Sequence, residues 1–329
     1  PPAPPAPRPR GGKRAPIRVT SLQLPPDIMW ETASARRDLL HVAGFGRGGA
    51  VLARTPWSDA VQVLTWSPGI NYPHILEPGP DAARAVLFAG SPGPRLELLS
   101  FPRSDGGLAA SQAGTPPWFP DEVLGAAVGE FGTVWLVREH LGHLVAWAYS
   151  SAGAISGIHP LRILEAALPE GETARGSAPL PAVALGPALY VALALRLARI
   201  GRDGASTHLD LASPVTALVA SPAAAGPILA CAFDAGGAVI FEPDSLARVR
   251  RFGEDLADPL LTFTRNGFLV AVSEREGRIY SLEGGFVREC ASFSIPGGRP
   301  VAVVPGAQAA EFAIVAGSGE VTVFTVPAP

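Results

Sequence analysis

One sequence pattern recurs seven times along this chain of 329 residues: an apolar strand, a turn that usually contains Gly, and a strand in which apolar and polar residues alternate. An apolar residue near the end of the first strand marks each copy, and successive marks lie 46, 48, 55, 40, 39 and 45 residues apart. A repeat of about 40–50 residues built from short strands predicts the four-stranded blades of a β-propeller. The marks are Ala43, Ala89, Val137, Ala192, Ala232, Ala271 and Ala316.

Composition agrees with short strands joined by turns. The chain holds 37 Gly and 35 Pro, which excludes long helices, while a hydrophobic fraction of 47% excludes general disorder. Two long uncharged stretches, 176–195 and 211–233, are each interrupted by three prolines, so we expect paired strands there rather than membrane spans. The predicted blades are residues 26–66, 71–113, 120–160, 179–212, 213–253, 258–295 and 298–326 together with 17–24.

The two ends of the chain complement each other. The last copy of the pattern ends at Val326 and has no outer strand after it. The alternating segment Ile17–Leu24 precedes the first copy and is a surplus strand. Pairing these segments removes a free sheet edge and closes a ring. The sequence therefore predicts an all-β, seven-bladed propeller, a single domain over residues 17–329 that is closed by its terminal strands. Residues 1–16 are rich in Pro and Arg and predict a disordered linker.

Two segments resemble a known family. Gly237–Phe252 and Gly277–Phe293 resemble the latter half of a WD40 blade, in which a turn and a polar outer strand follow an alternating strand. Phe241-Glu242 and Ser281-Leu282 stand where that family has its Trp-Asp dipeptide, and the Gly-His pair that opens its repeats is absent. The resemblance covers nearly the whole chain as architecture and implies a divergent propeller of WD40-like plan. It does not assign a subfamily.

Motifs that carry chemistry are few. The chain has no nucleophile elbow, phosphate-binding loop or dinucleotide fingerprint. Glu139, His140 and His143 have the spacing of a partial zinc site, but a solvated turn with no fourth ligand favours an exposed polar turn. We therefore expect no catalytic residue, metal or cofactor. The two cysteines are too few for a disulfide framework, which favours a cytoplasmic protein.

Two segments are candidates for partner binding. Trp118 and Phe119 lie in a Pro-rich connection, where they either contact a partner or wedge between blades. The connection 160–179 lengthens one repeat to 55 residues, and its first half predicts a short amphipathic helix over Pro160–Leu168. That helix either contacts a partner or covers a blade junction. The candidate partner-binding residues are Trp118, Phe119, Leu161, Leu164 and Leu168, with Arg138, His140 and His143 in a turn on the same face.

These features predict a non-catalytic scaffold or recognition module that binds other proteins. We expect a monomeric propeller within a larger assembly or a longer chain. A single lysine among 26 basic residues indicates a GC-rich genome, which favours a bacterial source. A net charge of −3 gives no reason to expect a nucleic-acid partner, since such binding usually requires a basic face. Two alternatives stay open: a lactonase-like or ligand-binding propeller with carboxylates or His in its central channel, and a secreted carbohydrate-binding propeller.

Overall fold

The computed structural model describes β-strands, turns and short connections. Among the described residues, every regular element is a strand, and 28 strands form seven four-stranded antiparallel sheets. The all-β prediction is therefore confirmed, and the arrangement is a β-propeller. The described residues are 15–36, 39–58, 61–67, 73–78, 84–89, 95–100, 111–113, 124–129, 133–140, 143–150, 159–167, 180–193, 195–201, 203–221, 226–283, 286–295 and 297–327.

Strands follow chain order within each sheet, except that β1 (Ile17–Gln23) belongs to the last sheet. Sheet I contains β2 (Met29–Arg36), β3 (Leu39–Gly46), β4 (Gly49–Thr55) and β5 (Gln62–Ser67). Sheet II contains β6 (Pro73–Pro78), β7 (Arg84–Ala89), β8 (Arg95–Ser100) and β9 (Ser111–Ala113). Sheet III contains β10 (Gly125–Val128), β11 (Thr133–His140), β12 (His143–Ser150) and β13 (His159–Ala167).

The remaining sheets repeat the same plan. Sheet IV contains β14 (Ala182–Leu185), β15 (Ala188–Leu193), β16 (Arg196–Gly201) and β17 (Ser206–Asp210). Sheet V contains β18 (Val215–Ala220), β19 (Leu229–Phe233), β20 (Ala238–Phe241) and β21 (Arg248–Phe252). Sheet VI contains β22 (Leu260–Phe263), β23 (Leu269–Val272), β24 (Glu276–Glu283) and β25 (Phe286–Ser294). Sheet VII contains β26 (Pro300–Pro305), β27 (Glu311–Ala316), β28 (Glu320–Thr325) and then β1.

The first strand of each sheet is the innermost. Each of these strands contacts the first strands of the sheets before and after it, and β2 also contacts β26. At the last sheet, β1 pairs antiparallel with β28, from Ile17 opposite Thr325 to Gln23 opposite Glu320. The Leu24 amide extends this pairing by donating to the Gly319 carbonyl at 2.8 Å. The N-terminal strand thus forms the outer strand of the sheet that ends the chain.

The hydrophobic core lies between consecutive sheets. In β19, Leu229, Cys231 and Phe233 pack with buried residues of sheet IV, whereas Ala230 and Ala232 pack with those of sheet VI. This alternation follows from the period of two along a strand, and it explains why second strands are apolar on both faces. Burial raises the pKa of the Cys231 thiol, which keeps it protonated inside this core.

The predicted helix over Pro160–Leu168 is wrong. Residues 159–167 form β13, the outer strand of sheet III, which pairs with β12 from Ser150 opposite His159 to His143 opposite Ala167. Apolar residues three and four positions apart over so short a segment also fit a strand, and pairing with β12 satisfies backbone groups that a lone helix turn leaves open. Sheet III therefore extends beyond the predicted blade boundary at residue 160.

Most outer strands contain a β-bulge. Five of the seven outer strands described contain one extra residue in the pairing with the third strand. Bulges twist an edge and discourage pairing with another chain. Two exposed apolar residues, Val19 and Val249, are extra residues of this kind and have no partner in the pairing. The extra residues are Val19, Trp66, Leu161, Val249 and Cys290.

Candidate functional site

A cavity of about 1140 Å³ opens on one end of the innermost strands. It lies where the chain enters β2, β22 and β26, beside the turns that follow β23 and β27. Because consecutive strands alternate in direction, these entries and turns share one side of the molecule, which we call the upper face. The cavity is therefore bordered by sheets VI, VII and I.

Strand β2 contributes residues to the hydrophobic core and to the wall of this cavity. Trp30 is only 1% exposed, and its indole Nε1 donates to the Pro25 carbonyl at 3.2 Å. The neighbouring Met29 is 54% exposed and lines the cavity. Gly44 lies opposite Trp30, and a Cβ at this position would clash with the Met29 carbonyl oxygen. The close approach of β3 thus requires glycine and fixes where Met29 and Trp30 stand.

Glu31 is an extra residue in β2. Trp30 is opposite Gly44 and Thr32 is opposite Ala43, which leaves Glu31 without a partner in the ladder. Bulges of this kind redirect a side chain, and they are frequent beside functional sites. Innermost strands β6, β18 and β26 contain similar extra residues, and Glu31 is the charged one of the four: Glu31, Leu76, Thr216 and Val301.

The Glu31 carboxylate is half-buried and unsatisfied. Within the described residues it forms no hydrogen bond or ion pair, and burial raises its pKa above the ordinary value for glutamate. The cavity contrasts here with Asp255 at its border. Arg278 donates to Asp255 at 2.7 Å and lowers the pKa of that carboxyl, while the same hydrogen bonds raise the pKa of Arg278. One carboxylate is thus neutralised by the chain, and the other is not.

Four further charged side chains line the cavity, all of them exposed. Within the described residues none forms an ion pair, so they are free to meet charges from outside. Asp258 also has a backbone φ of 41°, a left-handed conformation that is uncommon for residues other than glycine. Such strain costs about 1–3 kcal/mol and gathers at functional sites. We call these side chains the rim charges: Asp258, Glu274, Arg275 and Arg299.

The residues predicted from sequence lie elsewhere. Leu161 and Leu164 are in β13, with Leu164 opposite Ala146. His140 is opposite His143 where β11 and β12 meet. The Arg138 guanidinium carbon lies 5.5 Å from the Trp147 ring centroid, a cation–π contact inside sheet III. Three candidates, Trp118, Phe119 and Leu168, lie outside the described residues, as do the side chains of Glu139, His140 and His143. Partner binding by these residues stays a prediction.

Sequence reasoning missed the cavity residues because their positions depend on tertiary structure. A bulge has no fixed sequence signature, so nothing marked Glu31 as different from a strand residue of the outer surface. One signal was available: Met29 is the single methionine of the chain, and it directly precedes a tryptophan at the start of a strand.

Comparison with known proteins gives the fold and little more. No family model matches the sequence, and no curated protein matches it. By structure, the chain is similar to a chain in the crystal structure of the mitotic checkpoint complex, with a TM-score of 0.71 and 11% sequence identity. The similarity covers 99% of this chain and 97% of that one. At such low identity it shows a β-propeller fold alone. Since 1239 chains of solved structures match, the fold by itself does not select a function.

The described residues contain no group of three or more His, Cys, Asp or Glu side chains placed to hold a metal ion. Nor do they include a helix of sufficient length and apolarity to cross a bilayer.

Proposed function

We propose that this chain is a non-catalytic interaction scaffold that binds other proteins through the upper-face cavity. The observation that carries the proposal is the cavity itself, where an unsatisfied carboxylate, the rim charges and an exposed methionine meet. Charges left unpaired by the fold do not stabilise it, whereas a partner of complementary charge would pair with them. The structurally similar chain belongs to a protein complex, which is consistent with protein partners.

The architecture in this proposal is a closed ring of seven blades, of WD40-like plan. Three observations support it: the seven sheets, the pairing of β1 with β28, and the chain of contacts between innermost strands that returns from β26 to β2. The proposed domain spans residues 17–329 after a linker of residues 1–16. A cytoplasmic location and a single propeller within a larger bacterial assembly complete the proposal.

The cavity favours binding over catalysis. A lactonase-like enzyme needs carboxylates or histidines that converge on one metal ion or one substrate atom. Glu31, Asp258 and Glu274 all line the cavity, but among the described residues they do not form a group that holds a metal ion. We expect purified protein to lack hydrolase activity on lactone, ester and phosphate substrates, and a saturable activity abolished by Glu31→Gln would contradict the proposal.

A plugged cavity tests the function directly. Gly298 lines the cavity, and a Cβ there would meet Ser318 Oγ at an ordinary 3.6 Å. Gly298→Trp should therefore fold normally and fill the opening. The matched control is Val249→Trp, on an exposed position of the outer strand β21. We expect proteins captured by the wild type and the control to be lost with Gly298→Trp. An unchanged set of captured proteins would contradict binding at the cavity.

A further inference from the structure

We propose that Glu31 is the anchor for a cationic side chain, Lys or Arg, presented by an extended peptide segment of a partner protein. The inference rests on the proposed function of the cavity and names the chemistry of its partner. It follows from the position of one carboxylate, the apolar surface beside it, and the difference between the cavity wall and its rim.

The fold places Glu31 at the cavity without giving it a counter-ion. The bulge in β2 removes Glu31 from the ladder, while Trp30 on one side stays fixed in the core by burial and by its bond to Pro25. The backbone of Glu31 is thus held on a strand rather than on a loop. A backbone that is fixed before binding adds no ordering cost of its own when the side chain meets a partner.

Partial burial decides which sign the partner carries. Glu31 has lost part of its hydration, as its raised pKa indicates, and no arginine or lysine of the described chain compensates this loss. A cation at this point regains electrostatic energy in a medium of lower dielectric than water, through a charge-assisted hydrogen bond. An anionic or apolar group placed there would leave the carboxylate buried and unpaired, at a cost.

The surroundings suit the stem of a long cationic side chain. Met29 is 54% exposed beside Glu31, and Val301, the extra residue of β26, lines the same cavity. Lys and Arg cover apolar surface with their methylene groups while the charged end reaches a polar partner. Methionine adapts to such stems because its side chain is flexible.

The rim charges have a different role. All four are exposed, so ion pairs made there are screened by water and contribute little to affinity. The rim charges carry both signs, which suits a peptide of mixed charge. Contacts with them set the register of the peptide and contribute little to its affinity. A cavity of about 1140 Å³ exceeds the range of about 300–1,000 Å³ usual for small-ligand sites, which favours a peptide over a metabolite.

A peptide selection tests this inference on the full chain. Random peptides displayed on phage are selected on the wild type after removal of those that also bind Gly298→Trp. We expect the retained sequences to share one Lys or Arg position. The best peptide is then synthesised with that position as Arg or as uncharged citrulline, and both are titrated against wild type, Glu31→Gln and Glu31→Asp. We expect Glu31→Gln to weaken the Arg peptide at least about tenfold and to leave the citrulline peptide nearly unchanged.

The outcomes separate the two proposals. If peptides are retained but share no cation, or if Glu31→Gln affects the Arg and citrulline peptides equally, the role of Glu31 is wrong and the cavity remains a docking site. If no peptide distinguishes wild type from Gly298→Trp, both proposals are overturned. Partial affinity with Glu31→Asp supports a charge contact, since the shorter side chain retains the carboxylate. Circular dichroism of each variant verifies that it is folded.

Discussion

Adjacent residues of β2 belong to two regions with opposite properties. Trp30 lies in the core between sheets VII and I, where Leu24, Val315 and Val321 are fully buried. Its neighbour Glu31 lies at the cavity, where a carboxylate is half-buried and unpaired. The core therefore carries stability, and the cavity is the place where the fold tolerates unfavourable charge. This difference indicates that substitutions in the two regions will separate folding from binding.

Deletion of the N-terminal strand β1 should have the largest effect. Removing residues 1–24 eliminates the partner of β28 and the buried side chains of Leu22 and Leu24. The loss of two buried leucines alone costs about 3–6 kcal/mol, and the exposed edge favours aggregation. We expect a large fall in the melting temperature or insoluble protein, measured by differential scanning calorimetry. Deletion of residues 1–14 is the control; equal melting of both truncations would show that β1 does not complete the fold.

Trp30→Ala should be the most damaging single substitution in β2. It removes a large buried side chain and its hydrogen bond, at a cost of about 3–5 kcal/mol in the free energy of unfolding. Met29→Ala, one residue away and half-exposed, should cost less than about 1 kcal/mol. Urea denaturation measures both. Similar losses in the two variants would remove the distinction between core and cavity.

Acid should weaken the core through His41. This side chain is fully buried in β3, and burial, followed by the charge of Arg54, lowers its pKa to about 4. An unfolded histidine titrates near 6.5, so the unfolded state takes up a proton that the folded state excludes. The corresponding part of the free energy of unfolding is fully present above pH about 6.5. It should fall by about 3 kcal/mol as the pH decreases toward 4. Urea denaturation at pH 7 and 4.5 measures it, and a His41→Gln variant with the same pH dependence would exclude this cause.

Glu31→Gln should have the smallest effect on stability. Removing a half-buried carboxylate whose pKa is raised by burial relieves an unfavourable charge above that pKa. After allowance for solvent screening, we expect the free energy of unfolding at pH 7 to stay the same or rise by a few tenths of a kcal/mol. A loss above about 1.5 kcal/mol would mean that Glu31 serves the fold rather than a partner.

The repeat made the architecture predictable, whereas local pairing limited the details. Seven copies of one sequence pattern implied four-stranded units, because hydrophobic alternation and turn residues are local signals. The surplus segment Ile17–Leu24 was predictable for the same reason, as it alternates and has no other partner. The segment Pro160–Leu168 was misread because nine residues do not separate a helical period from a strand, and the decisive pairing partner, β12, is a tertiary feature.

The candidate site was the least predictable part. Glu31 and Asp258 are separated by more than two hundred residues, and they line one cavity because the innermost strands converge. The sequence pointed to two aromatic residues in a Pro-rich connection and to one long connection, which are local features. Unpaired charge at a bulge became visible only after the register of β2 and β3 was known.

Site-specific cross-linking in cells that carry the gene tests most directly whether the cavity is the docking surface. A photoreactive benzoylphenylalanine replaces Met29 at the cavity or, as the control, Val63 on the outer strand β5, since both are exposed, at 54% and 43%. We predict discrete cross-linked partner proteins from position 29, absent from position 63 and abolished by Gly298→Trp. Identical cross-linked products from both positions, or no cross-linked product from position 29, would contradict a role for the cavity in binding.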